Sequence, residues 1–207
     1  AEPGLIGTSG AAALGAVLAI QTGLAAALPL GLPLAAPAGA LGSALLLGVP
    51  LVTAVEAVGA FVGTGRRFED RGTAGGVRVV DDYAHHPNEV AALVTGARPA
   101  AGEGRVLALF HPHLFSRTKT FAAEFAAALD LADVAVVTGV YAAREDDDPA
   151  VTGELITSRS TRGARYVPDK VEAARVVARL ARPGDLVLTI GAGDVTELAP
   201  VVLDELR

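Results

Sequence analysis

The 207-residue chain carries 17 Lys+Arg against 23 Asp+Glu, a formal net charge of -6, and no cysteine. Disulfides, thiolate nucleophiles and zinc ribbons are excluded, and net acidity without a basic patch argues against a nucleic-acid partner, whose affinity rests on neutralising phosphates. The length suits one large or two modest domains, and charge divides it unevenly: residues 3–55 hold none, and every Lys and Arg lies at or beyond Arg66.

An uncharged run of this length raises the possibility of a membrane segment. Its best window, Ala11 to Leu28, is an 18-residue stretch between Gly10 and Pro29, close to the shortest helix that spans a bilayer. Alanine dominates it, Gln21 and Thr22 interrupt it, and no Lys or Arg precedes Arg66 to provide a signal-peptide n-region or a positive-inside flank. Leu14, Leu18, Gln21, Leu24 and Leu28 share one helical stripe, the pattern of a helix lying against a sheet. The expectation is a buried helix of a soluble, cytoplasmic protein with no membrane insertion. Pro29, Gly31, Pro33, Pro37 and Gly39 then predict a loop, and Leu41 to Val58 two short helices hinged at Gly48 and Pro50.

Beyond Gly65 the punctuation becomes regular. Arg66 to Arg71 and Val77 to Asp82 read as a hairpin separated by Gly72, Gly75 and Gly76. A helix is predicted from about Pro87 to Ala97, with proline where its missing N–H does no harm. Val106 to Phe110 reads as a buried strand. Phe121, Phe125 and Leu129 mark a helix face, Val134 to Val137 another strand, and Thr152 to Ser158 a short helix. Val171, Ala174, Val177 and Leu180 line a further helix; Leu186 to Ile190 is the last strand. Gly191-Ala192-Gly193-Asp194 opens a C-terminal helix whose Asp194 and Glu197 fit a capping box. Alternation of this kind implies an α/β fold: a mainly parallel, Rossmann-like sheet with helices on both faces, after a small, mostly helical apolar segment. Ligands then sit outside the carboxyl ends of the strands.

All four histidines stand there. One strand end reads Asp81-Asp82-Tyr83-Ala84-His85-His86-Pro87, the other Phe110-His111-Pro112-His113-Leu114-Phe115-Ser116-Arg117. If those strands are neighbours, four imidazoles, two carboxylates, a phenol and a guanidinium converge, an arrangement seldom made for packing alone. Two chemistries fit. His-x-His, His-His and paired Asp offer the ligands that zinc or manganese accept. Alternatively, Arg117 holds a substrate carboxylate, His85 and His113 hydrogen-bond or shuttle protons, and an Asp receives ribose hydroxyls. Spacing leaves both open.

Five segments occur in one order: Arg66-Arg67-Phe68-Glu69, Asp-Asp-Tyr-Ala-His-His-Pro, His-Pro-His-x-x-Ser-Arg-Thr, Val140-Tyr141-Ala-Ala-Arg-Glu145 and Gly191-Ala-Gly-Asp194. Together they resemble the Mur ligases, from about Leu41 to the C-terminus. The resemblance implies a C-terminal Mur ligase domain at 65–207, preceded at 1–64 by an apolar remnant resembling part of the central ATPase domain. It implies ATP and Mg2+ as cofactors, and a reaction in which ATP phosphorylates a muramyl carboxylate and an amino acid displaces the phosphate. By the same resemblance Arg67 contacts nucleotide phosphate, Asp82 contacts ribose, and Tyr83, His85, His113 and Arg117 form the amino-acid pocket, with His85, His113 and Arg117 in the catalytic roles. Tyr83, where Phe is expected in the relatives that attach a whole tripeptide to recycled UDP-N-acetylmuramate, tilts the expectation to joining L-alanine to UDP-N-acetylmuramate.

Two departures bear on activity. Leu114 stands where Arg is expected beside His113, which puts more weight on Arg117. Gly7-Thr8-Ser9-Gly10 matches the start of a phosphate loop, so Gly7, Thr8 and Gly10 are candidate phosphate contacts, but Ala11 and Ala12 replace the Lys and Thr that reach the phosphates and Mg2+. Descent and chance both account for the tetrapeptide. The 207 residues alone are therefore expected to lack catalysis. A metal-dependent hydrolase using the histidines and a non-catalytic binding module, membrane-tethered if the first segment inserts, stand as alternatives. The Gly191–Asp194 turn reads equally well as structure or ligand contact, and the acidic run Glu145 to Asp148 as a solvated loop.

Overall fold

The computed structural model describes residues 50, 52–53 and 65–207. The helical window at Ala11 to Leu28, the loop after it, the paired helices of Leu41 to Val58 and the phosphate-loop match at Gly7, Thr8 and Gly10 lie outside the described residues or almost wholly so. The chain divides into two units, Ala1–Gly63 and Thr64–Arg207.

The second unit is built on a sheet of six strands: β1 (Glu69–Ala74), β2 (Val77–Asp82), β3 (Val106–Phe110), β4 (Val134–Val137), β5 (Arg165–Tyr166) and β6 (Leu186–Ile190), in the order β1-β2-β6-β3-β4-β5. Only β1 runs antiparallel to its neighbour, so the α/β expectation holds. The hairpin turns on Gly75 and Gly76, both at positive φ (55° and 74°), as a tight turn matched to strand twist requires. The first strand starts at Glu69 rather than Arg66, because Arg66 and Phe68 take left-handed φ values of 60° and 48° that no strand accommodates.

The helices are α1 (Pro87–Ala101), α2 (Phe115–Thr120), α3 (Ala122–Leu129), α4 (Glu154–Thr157), α5 (Lys170–Leu180) and α6 (Leu198–Glu205), the last entered through a 3₁₀ turn at Asp194–Glu197. The helix marked by Phe121, Phe125 and Leu129 is broken at Phe121 (φ -115°, ψ 25°), which separates α2 from α3; Phe125 and Leu129 still face the core. The predicted capping box at Asp194 and Glu197 is not formed. Gly193 occupies the cap position without a side-chain bond, and the Asp194 carboxylate turns instead to Lys170.

Side-chain alternation sorts the sheet into two cores. Val106, Ala108 and Phe110 of β3 and Leu186, Leu188 and Ile190 of β6 pack with Val90, Val94 and Phe125 of α1 and α3. Leu107, Leu109 and Val187 face the other way, against Ala174 and Val177 of α5 and Leu198 and Val202 of α6. Covered on both faces, β3 and β6 are apolar at nearly every position, which is what a central parallel strand requires.

The strands that carry the two histidine loops, β2 and β3, are not neighbours. β6 lies between them, with Asp82 and Phe110 each aligned to Ile190. The three strands are parallel, so the loops after them still share one edge, with the Gly191–Asp194 turn in the middle.

Candidate functional site

Three of the four histidines meet at that edge, not all four. The Tyr83 and His85 rings lie 5.3 Å apart edge-on, His85 and His113 6.1 Å apart, His113 stacks on Tyr141 at 5.6 Å, and His111 meets Tyr141 edge-on at 5.7 Å. His86 leaves the group. It precedes α1 and packs on Phe121 at 5.1 Å, as its position one residue from His85 on an extended backbone dictates.

The ring nitrogens of His85 and His113 are set oppositely. His85 Nδ1 lies 3.0 Å from the Tyr83 carbonyl and 3.3 Å from Glu89 Oε2. Both are acceptors, so Nδ1 carries a hydrogen, and in the neutral ring Nε2 is the acceptor. His113 Nδ1 faces Arg117 Nη1 at 3.3 Å, a donor in every protonation state, so this nitrogen accepts and Nε2 carries the hydrogen. Burial, reinforced by Arg117 and His85, holds the His113 pKa below the ordinary histidine value, which keeps that tautomer neutral.

Arg117 reaches His113 because α2 starts at Phe115 and brings the residue one turn on over the His113 backbone. Glu145 fixes the start of that helix: its carboxylate accepts from the Ser116 amide (3.0 Å) and from the Ser116 hydroxyl. These bonds lower its pKa. The acidic run is therefore not all solvated loop, since its first member anchors α2.

Asp82, 7% exposed, accepts from the Phe68 and Ala84 amides at 2.8 Å each, tying the segment that contains Arg67 to the one that contains Tyr83. Arg67 is exposed, makes no ion pair or side-chain hydrogen bond among the described residues, and stands 5.5 Å from the Tyr83 ring centroid. His111 is 5% exposed, with Nδ1 3.4 Å from Asp194 Oδ1. Burial takes its pKa down to about 4, with Asp194 opposing, so this imidazole is neutral at physiological pH.

Two contributors escaped the sequence reading of individual residues. Tyr141 reaches the histidines through backbone pairing: its N–H donates to the Pro112 carbonyl and its carbonyl accepts from Leu114, both at 2.8 Å. Arg66 bonds Asp81 and the Gly191 and Gly193 carbonyls; the signal for it was Asp81, a carboxylate in a buried strand that needs a cation. Among the described residues no group of three or more His, Asp or Glu could hold a metal ion. The hydrolase alternative thus finds no ligand set in this unit.

Residues 66–193 match the family described as Mur ligase, glutamate ligase domain. The chain is 54% identical over 170 residues to the UDP-N-acetylmuramate–L-alanine ligase of Kineococcus radiotolerans, covering 81% of this chain and 36% of that protein. It is 54% identical over 171 residues to the enzyme of the same name from Saccharopolyspora erythraea, covering 81% and 35%. The chain thus spans about a third of the length of the curated relatives it matches. Among solved structures, the UDP-N-acetylmuramate-alanine ligase of Thermotoga maritima superposes with a TM-score of 0.68 at 26% identity, over 83% of this chain and 37% of that one.

Proposed function

The chain belongs to the Mur ligase family, and from that premise we propose that it is the amino-acid-binding part of an ATP-dependent ligase that joins L-alanine to UDP-N-acetylmuramate in peptidoglycan synthesis. In that reaction ATP converts the muramyl carboxylate to an acyl phosphate, which the alanine amine attacks with loss of phosphate. The observation that carries the reading is the pair of opposed imidazoles beside Arg117. Arg117 takes the alanine carboxylate through donors not directed at His113. The ammonium group must lose a proton before it is a nucleophile, and His85 Nε2 is the open acceptor. His113 Nε2–H, by contrast, donates, which suits a carboxylate or the oxyanion of the tetrahedral intermediate.

Arg67 fits a nucleotide phosphate, being an exposed cation without an ion pair among the described residues. Asp82 keeps a lone pair on each oxygen for a ribose hydroxyl beyond those that hold the two amides. Mg2+ finds no fitting set of ligands among the described residues, and no role of this unit is routed through it. No helix among the described residues is long and apolar enough to cross a membrane, and the reading places the reaction in the cytoplasm, where ATP is available.

The only lysines are Lys119 and Lys170, and neither follows a glycine. These 207 residues therefore contain no Gly-Lys-Ser/Thr phosphate loop, and the reading is that the chain binds L-alanine without turning over ATP. Titration calorimetry of the chain with L-alanine tests this. Saturable binding lost in Arg117→Met supports it; no binding at millimolar L-alanine, or ATP turnover by the chain alone with UDP-N-acetylmuramate and L-alanine, contradicts it.

A further inference from the structure

We infer that Arg66 is a positioning residue for the amino-acid pocket, holding Tyr83, and through it His85, at a fixed place against the Gly191–Asp194 turn. The inference rests on the pocket proposed above. Arg66 is at the entrance to the unit, before β1, yet its side chain crosses two strand ends. Nε donates to Asp81 at 3.1 Å, Nη1 to the Gly193 carbonyl at 2.9 Å and Nη2 to the Gly191 carbonyl at 2.6 Å. Asp81 is wholly buried and takes the Thr189 hydroxyl at 2.7 Å on its other oxygen, so the carboxylate that aims Arg66 is itself locked.

Tyr83 is held by Arg66 twice. Its amide donates to the Arg66 carbonyl at 2.8 Å, and its ring centroid lies 5.0 Å from the Arg66 guanidinium carbon, within cation–π range. The Tyr83 carbonyl in turn takes His85 Nδ1 and so decides which nitrogen of His85 is the acceptor. Charge neutralisation of Asp81 alone would need neither the two glycine carbonyls nor the tyrosine. The planar fork meets all of these at once, which the point charge of a lysine cannot do. The middle strand's turn and the β2 loop are thereby fastened together at the height of the pocket.

The experiment compares the full 207-residue chain with Arg66→Lys, which keeps the charge and loses the fork. Nuclear magnetic resonance of ring-labelled Tyr and His is recorded without ligand and on titration with L-alanine. The expected result is displacement of the Tyr83 and His85 ring signals with His86 unmoved, and L-alanine affinity weaker by about tenfold, the factor set by one displaced charged hydrogen bond. A folded R66K with Tyr83 and His85 signals in place overturns the inference. If R66K does not fold, Thr189→Val, which only loosens Asp81, is read in the same way. If the unsubstituted chain shows no response to L-alanine, the proposed function fails, while the ligand-free ring signals still decide whether Arg66 positions Tyr83.

Discussion

Acidification charges His111, and the structure gives that event a large cost. The imidazole is 5% exposed, and burial holds its pKa at about 4 against 6.5 in the unfolded chain. Between those values the unfolded chain binds more protons than the folded one, so stability falls as pH drops from about 6.5 towards 4. Going from pH 8 to pH 4.5, this one group removes about 2.5 kcal/mol, from two pKa units at 1.36 kcal/mol each less partial protonation of the folded state. Carboxylates such as Asp133 and Asp185, whose pKa values lie below the ordinary aspartate value, act in the same direction but lose their contribution only below the unfolded aspartate pKa of about 4. Urea unfolding at pH 8, 6 and 4.5, on the chain and on His111→Asn, isolates the histidine. The slope between pH 6.5 and 4.5 should be shallower in H111N by about 2 kcal/mol across the interval. Equal slopes would refute the reasoning that His111 is buried neutral.

Arg117→Lys should weaken L-alanine binding by roughly tenfold to a hundredfold, the range for charged hydrogen bonds lost at a fork, as read by calorimetry. Replacing Arg117 with Met should raise the His113 pKa towards the ordinary value, because the guanidinium is one of the causes that depress it; an imidazole titration followed by magnetic resonance checks the direction. Gly193→Ala would place its Cβ 2.8 Å from the Tyr141 ring, so it should push Tyr141 off His113 and weaken L-alanine binding, and unchanged binding would show that the Tyr141 stack is dispensable. Phe125→Ala, at a side chain 1% exposed and 5.0 Å from the Phe110 ring, should cost about 3–5 kcal/mol in urea unfolding.

The strands were legible in the sequence because β3 and β4 are unbroken apolar runs and β6 is interrupted only by Thr189, and the parallel arrangement followed from the helices between them. Strand order was not. Nothing in β2 or β3 says that β6 inserts between them, since strand order in a parallel sheet depends on where each crossover helix packs rather than on the pattern of the strands themselves. The two-residue strand Arg165–Tyr166 also carries no period to detect. At the candidate site, motif position named Tyr83, His85, His113 and Arg117, which the fold brings to one sheet edge, but the tautomers depend on the Tyr83 carbonyl, Glu89 and Arg117, which only the folded chain brings to the rings. Asp194 shows the converse. Its spacing to Glu197 favoured a cap, and the presence of Lys170, 24 residues earlier, redirected it.

The most direct test of the account is a crystal structure of the chain with L-alanine. The ligand carboxylate should lie on Arg117, with the ligand nitrogen within hydrogen-bond reach of His85 Nε2. L-alanine bound away from Arg117, or with its nitrogen turned from His85, would contradict that account.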